Sequence, residues 1–275
     1  MRNLLSANFL RLRKSVLFWG LLAVMFAFGA FFTLQHLNHY LKWDAKFYLT
    51  IDLFTYALLL GFGMAVFIPL FFGAEHSGHA IRSKVAAGHP RAAIYAANLL
   101  TGTAVSLLLC AAYMAVVAAI GIPLVGPVSM ALGQAALMVL GSLAAVAALC
   151  ALLTLVAANC ERTSVSAAAC VLGVFLLLIA SIYIRSRLLA PEYLNGSWNA
   201  AGEYVPGLPT PNPQYLGGPQ RAVFEVLNVF LPTCQIVQYA SQQGQDAGWM
   251  PLYSLLVILL STAAGIALFR RKDLK

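Results

Sequence analysis

Five stretches of this chain contain no Asp, Glu, Lys or Arg: 15–41, 53–74, 92–160, 163–184 and 247–269. A helix needs about 20 apolar residues to cross the hydrocarbon core of a bilayer. Four of the stretches fit one crossing each. The third is too long, and the segment GIPLVGP from Gly121 to Pro127 divides it, because Gly and Pro end helices. The reading is six spans, at 16–37, 52–73, 94–120, 129–158, 164–185 and 250–269. Only 9% of residues are charged, where a soluble domain carries about a quarter. The fold class is therefore an all-α polytopic membrane protein, with 1–275 forming a single transmembrane domain.

Orientation follows from the basic residues. With the N-terminus inside, the inner segments hold Arg2, Arg11, Arg13, Lys14, Arg82, Lys84, Arg91, Arg162, Arg270, Arg271, Lys272 and Lys275. The outer ones hold Lys42, Lys46, Arg185, Arg187 and Arg221. Positive charge collects on the cytoplasmic side, so both termini are expected there. The net charge of +8 is then a signal of topology and gives no reason to expect nucleic acid.

Residues 2–14, RNLLSANFLRLRK, form a basic amphipathic helix that can rest in the headgroup layer as an elbow before the first span. Leu5, Phe9, Leu12 and Val16 recur at helical spacing and are expected to share its apolar face. The segment His36 to Asp52 reads as a short outer connector, and Pro69 as a possible kink in the second span. Spans three to five are rich in small residues, among them Gly133, Gly141, Ser142, Ala145 and Ala148, which let helices approach closely in lipid.

The segment 186–249 is extracytoplasmic in this topology. Its first part is proline-rich and loop-like. Its second part, Ala222 to Pro232, is too short and too polar to span, and reads as re-entrant or interfacial. Cys234 lies there and is expected to be reachable from outside or from the outer interface. The other cysteines are Cys110, Cys150, Cys160 and Cys170, so no external disulfide can form within the chain.

The segment 75–91, EHSGHAIRSKVAAGHPR, is the one long polar stretch between apolar runs in the first two thirds of the chain. Helix continues to about Val85, and Gly88 with Pro90 ends it. His76 and His79 share a helix face by spacing, yet a zinc site needs a third ligand, so surface histidines are the expected reading. No metal, cofactor or catalytic set is expected anywhere in the chain. The external acids Glu192, Glu203, Glu225 and Asp246 follow no pattern, and no nucleophile with a base lies at membrane depth. An ion-coupled transporter needs ionisable groups inside its spans, and His36, near an outer end, is the one such residue in the charge-free runs. A purely structural or sensory subunit is a further alternative.

Three features resemble the permease subunits of the ATP-binding-cassette type-2 exporter family. One is the basic helix before the first span. The second is the loop, with Glu75, Gly78-His-Ala-Ile-Arg82, Gly88, Arg91 and Tyr95; Ala80 adds one residue to the usual G-T-I-R pattern. The third is the ending Phe269-Arg-Arg-Lys-Asp-Leu-Lys275. Exporters of peptide antibiotics and bacteriocin-immunity systems look most similar. The resemblance implies a bacterial plasma-membrane protein that exports an amphipathic compound, with a second permease, identical or homologous. It implies two copies of a cytoplasmic subunit that holds ATP and Mg. The chain itself contains no G-x-x-x-x-G-K-[ST] phosphate loop. The resemblance also implies that segment 75–91 is a coupling helix, with Glu75, Gly78, Ile81, Arg82, Lys84, Val85 and Arg91 as candidate contacts to the ATPase.

Overall fold

A computed structural model describes residues 1–43, 49–77, 80–125, 130–198, 204–241 and 248–271. Within them the chain is an all-α polytopic membrane protein. The elbow helix α1 (Arg2–Arg13) precedes α2 (Val16–Trp43) and α3 (Leu49–Ser77). A short α4 (Ala80–Ala86) leads to α5 (Arg91–Val125), α6 (Leu132–Asn159) and α7 (Thr163–Leu189). A hairpin, β1 (Tyr193–Trp198) and β2 (Tyr204–Pro211), is followed by α8 (Gly218–Phe230), α9 (Pro232–Ala240) and α10 (Met250–Arg271). The helices α2, α3, α5, α6, α7 and α10 are the six that are long and apolar enough to cross a membrane.

The expected spans are all present, and most run longer than their charge-free cores. α5 begins at Arg91 and continues past Gly121 through Pro123, because a proline in the last turn removes a single backbone donor and leaves the helix intact behind it. The segment from His36 to Asp52 departs from its reading as a connector: α2 runs to Trp43 and α3 already begins at Leu49. α3 also continues through Pro69.

The axis of the bundle is α3, which packs on α2, α5, α6, α7 and α9. Phe54, Tyr56, Leu60, Met64, Phe67 and Ile68 of this helix are fully buried, so large side chains point inward on more than one face. Its neighbours supply small surfaces. Gly141, Ser142, Ala145 and Ala148 of α6 are all buried. Gly133, by contrast, has nothing within 4 Å of its Cβ position and makes no packing contact.

The two ends of the bundle differ. One end, the base, gathers α1, α4, the start of α5 and the end of α10. The opposite end carries the hairpin. The hairpin was not foreseen in the proline-rich segment: Tyr193 pairs with Pro211 and Trp198 with Tyr204, with a register shift between Leu194 and Gly196. Proline lacks a backbone donor but still accepts, so β2 pairs through the donors of its neighbours. After it, α8 buries none of its residues, while α9 buries Pro232 to Ile236, Gln238 and Tyr239. This helix pair, broken at Leu231 with Pro232 opening the second helix, matches the re-entrant or interfacial reading. Cys234, however, is buried rather than accessible. Its Sγ donates to Ser181 Oγ at 3.2 Å, beside Thr233, whose Oγ1 accepts from the same serine at 2.8 Å. α9 tucks under α8 instead of lying beside it, which turns this cysteine inward.

Candidate functional site

The base is built on one carboxylate. Glu75, in the last turn of α3, is 2% exposed. Its Oε1 accepts from Arg11 Nη1 of α1 at 2.8 Å and from Lys84 Nζ of α4 at 2.6 Å. Asn98 Nδ2 of α5 approaches Oε2 at 3.5 Å. A buried charge is tolerated when paired and hydrogen-bonded, and Glu75 meets that condition through three helices other than its own. Arg11 is held in turn by Phe71, through its main-chain oxygen at 3.0 Å and its ring at 3.9 Å from the guanidinium carbon.

α1 docks by a polar face, which corrects the apolar stripe expected from spacing. The residues it buries are Leu4, Asn8 and Leu12. Asn8 Nδ2 donates to Asn98 Oδ1 at 3.1 Å and to Thr101 Oγ1 at 3.2 Å. Phe9 and Val16 are exposed. The helix carries apolar residues on two faces, and the buried amide of Asn8 decides between them, because its partners lie on α5. Trp19 Nε1 then donates to the main-chain oxygen of Arg13 at 2.9 Å and fixes the bend from α1 into α2.

α4 ends where the sequence places its end. Gly88 adopts φ +85°, a left-handed conformation natural to glycine. His89 N donates to Lys84 O at 3.1 Å and Gly88 N to Val85 O at 2.9 Å, the paired bonds of a Schellman cap. Ile81 is buried against Tyr95 and Phe269. Val85, half-buried, packs on Leu4, Ile94 and Ala97. Arg91 opens α5 and closes α10: its Nη1 donates to Arg270 O at 3.0 Å and reaches Phe269 O at 3.5 Å. A cation at the C-terminal carbonyls of a helix also complements the helix dipole.

The candidate contacts therefore divide. Glu75, Ile81, Lys84, Val85 and Arg91 are engaged within the chain, and Arg82 is exposed beside Ser83, Ala86 and Ala87. Gly78 and His79 lie outside the described residues, and with them the spacing of the two histidines. Arg2, Arg13, Lys14, Arg162, Arg270 and Arg271 are exposed as well, so the surface around Arg82 is basic. Arg11, Asn8, Asn98 and Thr101 were not singled out by the sequence. The signal for Asn8 was present, as one amide set between Leu4 and Leu12 at helical spacing. What holds Asn98 and Thr101 is visible only in three dimensions.

Among the described residues no group of three or more His, Cys, Asp or Glu could hold a metal ion. The arrangement at the base is mechanical in character: short helices from distant parts of the sequence locked to one carboxylate. No protein-family model matches the chain, and no curated protein matches it.

Proposed function

We propose that this chain is the membrane-spanning permease subunit of an ATP-driven exporter, with its base in the bacterial cytoplasm and the exposed side of α4 docking on a separate ATPase. The observation that carries this reading is a convergence. The elbow helix, the 75–91 segment and the Phe269-Arg270 ending, three motifs far apart in sequence, meet at one end through Arg11–Glu75–Lys84, Ile81–Tyr95–Phe269 and Arg91–Arg270. A partner that pushes on α4 would move α1, α3 and α5 with it. The chain is not itself an enzyme in this reading. Two copies of the ATPase hold ATP and Mg, a second permease completes the path, and the cargo is a peptide antibiotic or another amphipathic compound.

The test is purification of the full chain with its ATPase, followed by transport in vesicles. Transport should require ATP and persist when the proton gradient is collapsed. Transport by this chain alone, driven by an imposed pH or sodium gradient with no nucleotide, would overturn the reading. That outcome would favour an ion-coupled transporter, a second reading supported by one observation: Asp52, at the hairpin end, is completely buried beside His36.

A further inference from the structure

Asp52 stands in the first turn of α3 and is 0% exposed. Its Oδ1 lies 2.5 Å from His36 Nδ1 of α2. Its main-chain oxygen accepts a 3.0 Å hydrogen bond from Tyr113 Oη of α5. Oδ2 is buried with no hydrogen-bond partner among the described residues. The His36 side chain, in contrast, is 45% exposed. A carboxyl group at this depth is costly unless used, and such a residue marks a functional site whose partner can be named. Here the partner is an imidazole with one side toward the acid and the other toward the surroundings.

The titratable groups that face Asp52 are few. α2 presents His36, and α5 presents Tyr113. Tyr56, one turn deeper on α3, is turned away to Ser142 of α6 at 2.7 Å. No charged side chain of α6, α7 or α9 pairs with Asp52 among the described residues. The pair is thus isolated from other charge and joins two spans. α2 is the least buried of the six spans. Elsewhere it meets its neighbours by apolar contact, with Gly29 against the Tyr113 ring and Leu21 against Gly63.

We infer that His36 and Asp52 form a proton-binding site that latches α2 to α3 at the hairpin end of the bundle. In the latched state one proton is shared between Nδ1 and Oδ1. A second proton, entering at the exposed imidazole, leaves a donor on both sides of the contact and no acceptor between them. The contact is then lost, and α2 is freed at that end. Loss of the second proton restores it. The site goes beyond the exporter reading and does not rest on it.

The test uses the full chain in lipid nanodiscs with Cys160→Ser, since the remaining cysteines are buried. Thr33, buried one turn below His36 on the same helix, is changed to Cys as a reporter. Lys42→Cys, exposed at the end of α2, is the control that cancels the effect of pH on thiol reactivity. The readout is the labelling rate at position 33 relative to position 42 with a membrane-impermeant thiol reagent. At neutral pH, His36→Gln and Asp52→Asn should each raise this ratio by about tenfold or more, as expected when a buried pair loses one partner. Acid should raise the ratio in the parental chain and not in the variants. His36→Gln replaces a half-exposed side chain, so it keeps the test decisive if Asp52→Asn does not fold. One ratio for all chains at both pH values would overturn the latch. A ratio that rises in the variants yet ignores acid in the parental chain would overturn the proton site.

Discussion

Lys84 Nζ lies 2.6 Å from Glu75 Oε1, so the short helix α4 is folded back and tied to the end of the span that precedes it. The same oxygen holds Arg11, and removing the acid leaves two cations facing a buried amide. Glu75→Gln should therefore lower stability by about 1–3 kcal/mol. The figure sits below that of a fully buried pair, because Arg11 is 36% and Lys84 19% exposed and water screens part of the loss. Thermal unfolding in detergent, with Glu75→Asp as a shorter acid for comparison, checks it. An unchanged midpoint for Glu75→Gln would remove the carboxylate from its central place.

Arg82 is the clean probe of a docked ATPase. It is exposed, so Arg82→Glu should leave folding within about 0.5 kcal/mol of the parental chain. It should sharply reduce the ATPase that co-purifies. Ile81 is the wrong probe on its own, because it is buried on Tyr95 and Phe269. Ile81→Ala should destabilise the base by about 2–4 kcal/mol whether or not a partner exists. Co-purification at the parental level with Arg82→Glu would mean that the partner binds elsewhere.

Two tyrosines close over glycines. Tyr95 of α5 covers Gly265 of α10, and Tyr239 of α9 covers Gly141 of α6, so an added methyl group would meet the phenol ring and hydroxyl in each case. Neither hydroxyl has a hydrogen-bond partner among the described residues. Gly265→Ala and Gly141→Ala should each cost about 1–3 kcal/mol by overpacking. Tyr95→Phe in the Gly265→Ala background should recover part of the loss, since it removes an unpaired buried oxygen along with one of the clashing atoms. Tyr95→Phe alone should be close to neutral. Additive effects in the double variant would contradict the contact.

Cys234 should label slowly. It is buried under Ser181 in α9, outside the spans, and burial pushes its thiol above the ordinary range. The thiolate is the reactive form, so less of it is present at neutral pH and the rate should climb as pH rises past the usual thiol value. In the native chain Cys160, half-buried at the base, should react first with maleimide. Equal rates for the two would show that α9 is not seated as described.

The spans were legible because charge is excluded from lipid over a fixed length, a rule that acts on residues near each other in sequence. The end of α4 was legible for the same reason, since Gly88 and Pro90 act locally. Asn8 and Glu75 were not, because their meaning lies in Asn98, Arg11 and Lys84, brought close by helix packing. Asp52 was read as part of a connector because charge marks the edge of a run, and sequence alone does not distinguish an edge acid that faces water from one turned inward. The hairpin escaped notice because its prolines, counted as strand breakers, occupy the strand whose remaining donors suffice for pairing.

The contact between Arg91 and Arg270 also sets an order of manufacture. Arg91 and its two carbonyl acceptors are separated by almost the whole remainder of the polypeptide. As the chain is synthesised, Ile81 and Tyr95 have no floor until the residues around Phe269 emerge. A ribosome that stops early thus releases a product with four or five inserted helices and an unfinished underside. Segments generally fold in the order in which they are made, and exposed unfinished surface is what quality-control proteases recognise. The last helix to be translated therefore serves as a certificate of completion, stamped on the first polar segment that needed it.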